Sequence, residues 1–453
     1  MKGKWVAAAA LVAVVAIVVA VALVGGFGSK SASPANSGVA GAQKTVVNTS
    51  VSGTVNFDGI WTGSEATAFG DVIKAFNKIY PNVKVKYNPL GNNLTTVLST
   101  AITGGHPPDI ADIAQPGYIK QLVQQGHLKP ITYANGVISK NFSSSWKALG
   151  TFNGKLYALP FKASNKSLVW YNVPAFKAAG VTAPKTWAQL LKTASTLKAS
   201  GTPAYSIGGA DGWTLTDLFE NIYLRTFGTT KYNQLAAHKI KWTDPSVNKA
   251  LKEMGQILGD SSNLAGGTSG ALQYGFNDSV TNAFSSPPKA AMVFEGDFVS
   301  GVILSSTKAK ANTGFNVAPF PSITPGGDAT AVEISGDLFV TFRDNPGIEA
   351  FIKFLATAPA AAAWAKHGGF ATGNHNLSLS VFPDAIDKAN QLAVGHAKQV
   401  VFDMSDEQPA SFGSTTGQGE WGIFQTFLKT PSNVAGVQSQ LEKAAATAYK
   451  KGK

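Results

Sequence analysis

Residues 54–89 read TVNFDGIWTGSEATAFGDVIKAFNKIYPNVKVKYNP, and three patterns succeed one another inside them. Residues 54–60 are extended in composition. Phe69, Val72, Ile73, Phe76 and Ile79 then recur at helical spacing until Tyr80 and Pro81 stop the pattern. Val83, Val85 and Tyr87 alternate as a second strand. A strand, a crossover helix and a parallel strand make the α/β unit. A second unit follows: Asn93 stands at a cap position, Val97, Leu98, Ala101 and Ile102 share one face, Gly104 and Gly105 end the helix, and residues 109–114 form a strand. The fold class is α/β, starting as an open sheet. Ligands of such sheets sit beyond the carboxyl ends of the strands, which places the loops after Ile60 and Ala114 beside any ligand.

Further along, residues 154–161 and 166–172 are strand-like and residues 187–199 helical. Pro287 and Pro288 interrupt a helical region, residues 290–294 and 315–320 are short apolar strands, 337–342 is extended and 348–366 helical. No short repeat of fixed period is present. The return of strand and helix alternation after Phe315 predicts a chain that crosses back into its first lobe. With 453 residues, 44% hydrophobic and 14% charged, the composition excludes disorder, collagen and coiled coil, and the length exceeds what one core serves. Two lobes are expected, each with its own interior.

The N-terminus reads as an export signal. Lys2 and Lys4 precede an unbroken apolar run at residues 5–24, followed by Gly25, Gly26 and a stretch rich in Ser, Ala and Gly. The run exceeds the core of about 7–15 residues usual in a cleaved signal and approaches the ~20 residues that span a bilayer. Small residues at 31–33 and 40–42 offer cleavage sites, so a cleaved signal peptide and an uncleaved membrane anchor both remain open. Either way the basic end stays inside and the remainder is exported to the periplasm or cell surface. Residues 25–52 read as a flexible tether.

Several chemistries are excluded by residue type. The chain contains no Cys, which removes disulfides, thiolate metal sites, cysteine nucleophiles and a lipid-modified N-terminal cysteine. Its net charge of +12 is spread thinly, and the densest basic run is Lys450, Lys451 and Lys453, so nucleic acid is not an expected partner. The six His residues stand far apart with no paired ligand spacing, and no metal site is expected. Gly267-Thr268-Ser269-Gly270-Ala271 falls one residue short of a serine elbow. Gly417-Gln418-Gly419-Glu420-Trp421-Gly422 matches a dinucleotide fingerprint, yet it lacks the βαβ unit and reads as a glycine-rich loop. Glu65, Asp217, Glu295, Asp297 and Asp337 could supply a glycosidase pair, whose separation of about 5–9.5 Å no sequence reveals. The same carboxylates suit binding, because each accepts from neighbouring sugar hydroxyls; lining a site, they select a neutral polyol or a cation.

Trp61-Thr62-Gly63-Ser64-Glu65, Gly104-Gly105-His106-Pro107-Pro108-Asp109-Ile110-Ala111, Gln115-Pro116-Gly117, Gly154-Lys155-Leu156-Tyr157-Ala158-Leu159-Pro160-Phe161-Lys162 and Ser167-Leu168-Val169-Trp170-Tyr171-Asn172 occur in that order. Gly212-Trp213-Thr214-Leu215-Thr216-Asp217, Gly336-Asp337-Leu338-Phe339-Val340, His367-Gly368-Gly369-Phe370 and Phe402-Asp403-Met404-Ser405-Asp406 follow. Together they resemble the extracellular solute-binding proteins (family 1) of ABC sugar importers, most of all the α-glucoside-binding branch, over nearly everything after residue 53. The resemblance implies a hinged, two-lobed periplasmic-binding-protein fold of type II, like maltose-binding protein, with a sugar held in the interlobe cleft. It implies no enzyme activity and no cofactor, a monomer, and a membrane permease as partner. Lobe one would be 53–161 with 318–357, and lobe two 162–317 with 358–453. An anchored sugar-sensing ectodomain and a glycoside hydrolase are the alternatives.

The resemblance also nominates site residues. Trp61 and Glu65 lie in the first strand-to-helix loop, where family members contact sugar, with core packing a rival for Trp61. Asp109 and Gln115 flank the second such strand, Asp109 being equally suited to shaping the turn. Lys162 at the first crossover can donate to a hydroxyl or pair with a hinge acid, whereas Trp170 and Tyr171 are expected to pack structurally. Trp213 and Asp217 stand four apart at a helix start and so share a face. Glu295-Gly296-Asp297-Phe298 occupies the place of an aromatic platform, with Phe298 replacing the family's Trp. Asp337 at the mouth of a returning strand is the favoured carboxylate, and Phe370 a further ring. Asp403 and Trp421 are ranked below these, with a solvated surface and a core as their plainer readings. Close relatives often carry a cysteine pair in lobe two; the equivalent region around Tyr205 and Ser206 has none, leaving that lobe to packing alone.

Overall fold

The computed structural model describes residues 47–324, 330–397 and 399–451. The apolar run at 5–24, with its signal or anchor reading, lies outside the described residues, as does most of the predicted tether. The last residues of that tether are bound to the domain: the Asn48 N–H donates to the Ile79 carbonyl at 2.6 Å, and Val51 packs against the core.

The opening strand-helix-strand reading holds. β1 (Gly53–Gly59) pairs in parallel with β2 (Val83–Pro89) and with β3 (Ile110–Ile113). Alternation in β1 sends Val55, Phe57 and Gly59 inward. The intervening helix, Gly63–Asn77, buries Ala68, Phe69, Val72 and Phe76 at the predicted spacing. After a short hairpin of β4 (Thr151–Phe152) and β5 (Lys155–Leu156), β6 (Ala158–Asn165) enters the first sheet from far along the chain.

A second, antiparallel sheet has β7 (Leu168–Asn172) at its centre, between β8 (Met292–Phe294) and β9 (Phe315–Pro319). The chain then returns to the first sheet through β10 (Val332–Thr341), which lies antiparallel to β6 and, through its C-terminal half, to β3. Its N-terminal residues pair in parallel with β11 (Val400–Phe402). A register shift interrupts the β6–β10 ladder between Asp337 and Leu338, with Asp337 directly opposite Lys162. Irregularities of this kind re-aim side chains.

Each sheet has its own interior on both faces. Around the first, Phe57, Trp61, Phe69, Phe339, Phe351 and Trp364 form an aromatic cluster on one side, and Leu98, Ile113, Ile119, Leu338 and Val340 pack on the other. The second is covered by Val169, Met292, Phe294 and Phe320 with the long Trp213–Ala236 helix on one face, and by Trp170, Val280, Val293, Val302 and Phe315 on the other. Trp170 is fully buried, as expected of a packing residue. Buried Tyr205 lies against Phe294 with ring centroids 5.3 Å apart. This two-lobed α/β arrangement is the maltose-binding-protein-like fold.

The predicted helix at 348–366 is two helices, Pro346–Leu355 and Ala358–Ala365, which meet at 66°. Pro359 opens the second, where a proline fits the first turn. Both pack into the aromatic core of the first sheet, so the chain stays there through Phe370. No single described helix is long and apolar enough to cross a membrane.

Candidate functional site

A cavity of ≈ 140 Å³ lies where the two interiors face each other. From the first sheet's side it is lined by Trp61, Glu65, Asn92, Gln115 and Asp337, and from the second's by Trp213, Phe276 and Phe298. Asp403, Ser405, Asp406 and Trp421 complete it.

Lys162 organises one half. Its buried ammonium reaches Glu65 Oε1 at 2.9 Å and Asp337 Oδ2 at 3.5 Å, and it sits 5.1 Å from the centroid of the Phe298 ring. Burial works to lower its pKa, but the Glu65 and Asp337 carboxylates outweigh burial and hold it above the ordinary lysine value. The ammonium stays charged and fixes both carboxylates. The Trp61 indole N–H donates to the same Asp337 oxygen at 2.8 Å.

Four residues on, Lys166 does the same for the other half. It bonds Asp217 Oδ1 at 3.0 Å, pairs with Asp403, and stands 5.5 Å from the Trp213 ring. Burial opposes its charge, yet Asp217 and Asp403 raise its pKa well above the ordinary value. Asp403 in turn accepts from Ser405 Oγ and the Asp406 N–H, while Asp406 Oδ1 accepts from Gln115 Nε2 at 3.0 Å. Behind this layer burial, followed by the charge of Asp217, pushes the Glu295 carboxyl well above its ordinary range. Asp217 itself is pushed up to about 7, first by burial.

The aromatic rings are placed by close backbone approach. Gly212 adopts φ 81° ahead of the Trp213–Ala236 helix, and a Cβ there would come within 2.7 Å of the Trp421 Cβ. Glycine alone satisfies both demands, and both Trp213 and Trp421 line the cavity. The glycine-rich segment at 417–422 is the turn into the Gly419–Lys429 helix that carries Trp421.

The structure thus brings Trp61, Glu65, Gln115, Lys162, Trp213, Phe298 and Asp337 to one cavity. Four other nominated residues lie off its wall. Asp109 accepts from the Asn56 backbone N–H at 2.8 Å and ties β1 to the turn before β3, the turn-shaping alternative. Asp217 and Glu295 are buried behind Lys166. Phe370 stacks on Trp364 at 5.4 Å inside the core, because the segment carrying it stays with the first sheet. Asp403 is buried and ion-paired rather than solvated, and Trp421 lines the cavity. Lys166, Asn92, Phe276 and Asp406 were not singled out from sequence. Lys166 had one usable signal, its place four residues after Lys162 beside the same strand.

A two-lobed α/β clamp whose interlobe cavity sets fixed carboxylates against aromatic faces is a receptor for a small solute. Comparison with known proteins agrees. The profile of the bacterial extracellular solute-binding proteins matches residues 62–362, and the chain belongs to that family. It is 30% identical over 374 residues to the alpha-glucosides-binding periplasmic protein AglE of Rhizobium meliloti, covering 80% of this chain and 81% of the relative. It is 27% identical over 364 residues to the osmoprotective compounds-binding protein GgtB of Synechocystis sp., covering 79% and 85%. Among solved structures, the solute receptor AcbH, described with a preference for β-D-galactopyranose, superposes with a TM-score of 0.75 at 22% identity over 87% of this chain and 98% of that one. RafE in complex with raffinose gives 0.70 at 16%, over 87% and 100%. The chain is therefore a binding protein and not an enzyme.

Proposed function

We propose that this protein is the substrate-capturing component of an ABC carbohydrate importer, taking a neutral sugar, an α-glucoside or another di- or oligosaccharide, and passing it to a membrane permease. The observation that carries the reading is the Lys162 triad: two carboxylates fixed by one ammonium beside the face of Phe298, in a cavity that Trp213 also lines. A pyranose has an apolar face and a rim of hydroxyls, and such a wall meets both. The names of the relatives, alpha-glucosides for AglE and osmoprotective compounds for GgtB, support the same ligand class.

Micromolar capture needs about 8 kcal/mol. Hydrogen bonds to charged groups contribute roughly 1.5–3 kcal/mol each, so a few of them with one or two stacked rings suffice. Specificity follows because a wrong sugar leaves buried polar groups unpaired. Closure requires only that the ligand favour the closed state over the open one. In this reading lobe one is 53–165 with 332 to about 370, since β6 and β10 share the first sheet and Trp364 and Phe370 pack in its core, and lobe two is 166–320 with the part of the chain after about 370, since β9 and Phe320 belong to the second sheet and its core. The protein works as an exported monomer, held at the membrane if the segment at 5–24 is retained.

Calorimetric titration against maltose, trehalose, sucrose, glucose and a cationic polyamine tests the ligand class. A saturable heat with one or more sugars is expected. Binding of the polyamine alone would overturn the reading.

A further inference from the structure

Phe298 ends the turn that leaves β8, and its ring has little freedom. The Lys162 ammonium stands 5.1 Å from the ring centroid, and Phe276 and Trp213 meet the ring at 5.1 and 5.9 Å, both edge to face. A Cβ on Gly296 would fall 2.4 Å from Phe298 Cε1, so the ring lies directly on that glycine. Contact with the ring demands glycine here, because a close-packed interior has no room for the ring to give way.

The turn itself is fixed from two sides. The buried Trp170 indole N–H on β7 lies 3.1 Å from the carbonyl oxygens of both Glu295 and Gly296. On the other side Asp297 and Asn165 exchange bonds: the Asp297 N–H donates to the Asn165 carbonyl, and the Asn165 N–H donates to Asp297 Oδ2, each at 3.1 Å. Asn165 and Lys162 belong to the same strand, β6. The strand that carries the ammonium therefore also holds the turn whose ring covers it. Asp297 is 1% exposed and does not line the cavity, so its carboxyl reaches the site only through its neighbours.

We propose that Asp297 is a positioning residue of the binding site: its bond to Asn165 holds Phe298 over the Lys162 ammonium, and Phe298 in turn keeps that ammonium between Glu65 and Asp337. A desolvated cation is attracted to a ring face. A ring that slips releases the ammonium, and both carboxylates lose their common anchor. The proposal rests on the carbohydrate reading above and goes beyond it, to the residue that assembles the Lys162 half of the wall. The rival explanation is charge, since the Asp297 carboxylate also favours the Lys162 ammonium electrostatically.

Substitution tells the two apart. Asp297→Ala removes the side-chain bond, whereas Asp297→Asn keeps an acceptor for the Asn165 N–H and drops the charge. Gly296→Ala leaves Asp297 untouched and displaces the ring directly. Each is made in the parent chain and in Phe298→Ala, and titrated by calorimetry with whichever of maltose, trehalose and sucrose binds the parent most tightly. Asp297→Ala and Gly296→Ala are each expected to weaken binding about tenfold, and Asp297→Asn to stay within about twofold of the parent. Without the Phe298 ring, all three should change affinity by less than about twofold, because the side chain through which they act is gone. A loss in Asp297→Asn as large as in Asp297→Ala would assign the effect to charge and overturn the proposal. Parental affinity in Asp297→Ala, or a tenfold loss that persists without the ring, would overturn it too. Should Asp297→Ala fail to fold, the other two variants decide: parental affinity in Gly296→Ala or a tenfold loss in Asp297→Asn overturns the proposal. All of these outcomes leave the carbohydrate reading standing. A parent chain that binds none of the three sugars would overturn that reading and the positioning role with it.

Discussion

The Trp61 indole N–H donates to Asp337 Oδ2 at 2.8 Å, although 276 positions separate the two residues. The ring is at once a core residue, 4.6 Å from Trp364 and 4.9 Å from Phe69, and the brace of a carboxylate in the cavity wall. Core packing and cleft chemistry, rival readings of Trp61 in the sequence, are two ends of one side chain. Asp337→Ala should remove the indole's acceptor and one partner of Lys162, costing about 1–3 kcal/mol of stability and at least tenfold in sugar affinity. Asp337→Asn keeps an acceptor for the indole and should recover most of the stability but not the affinity. Thermal unfolding and calorimetry read the two effects separately, and full affinity in Asp337→Asn would remove this residue from the site.

Lys166 is the more dangerous residue to delete. Replacing it with Met leaves Asp217 and Asp403 facing each other in the interior, and breaking a buried pair in this way costs about 3–5 kcal/mol. A large fall in Tm is expected, reduced at low pH where the stranded carboxyls can take up protons. A variant with parental Tm at neutral pH would show the pairing of Lys166 with Asp217 and Asp403 to be dispensable.

Trp213 offers a ring at the cavity beside Lys166. Trp213→Ala should weaken sugar binding by about 1–3 kcal/mol, from lost apolar contact and stacking, while Trp213→Phe should recover part of it. Tryptophan fluorescence on titration gives a second readout, since the parent signal should change on binding and the Ala variant's change should shrink. Equal affinity in all three proteins would place the ligand elsewhere.

Stability should also fall as the pH rises from the unfolded carboxylate range to neutrality. Asp217, Asp297 and Asp387 are each pushed up to about 7, with burial the first cause in every case. An unfolded Asp titrates near about 3.9, so the folded state holds these protons more tightly between those values. The stability they contribute is complete below the unfolded pKa and is lost as pH rises through about 7. Asp71 runs the other way: Lys366, Lys74 and His367 lower its pKa, and its contribution fades in acid, but it is half-buried at a solvent-screened surface and weighs little. Tm should therefore be higher at pH 5 than at pH 8. A Tm that rises over that interval would contradict the protonated interior.

Local patterns were legible in the sequence because local geometry sets them. The alternation of Val83, Val85 and Tyr87 and the helical spacing of Phe69, Val72 and Phe76 need no distant partner. β10 was recognised as a returning strand, but its simultaneous pairing with β6, β3 and β11 depends on residues far away in the chain, from 68 positions in β11 to 231 in β3. The same distance hid half of the site. Lys166 meets Asp217 and Asp403 across 51 and 237 positions, and nothing beside any of the three marks the meeting. Phe370 shows the converse: a ring after two glycines reads alike whether it turns to the cleft or to the core, and here Trp364 and Phe161 receive it. Asn92 follows a glycine in a polar loop and carries no local sign of its place at the cavity.

The most direct test is to saturate the purified chain with a neutral disaccharide, measure the stoichiometry by calorimetry, then release the ligand and chromatograph it. One sugar per chain, recovered chemically unchanged, is the predicted result. Failure to saturate with any neutral sugar, or recovery of hydrolysed monosaccharides, would contradict the account.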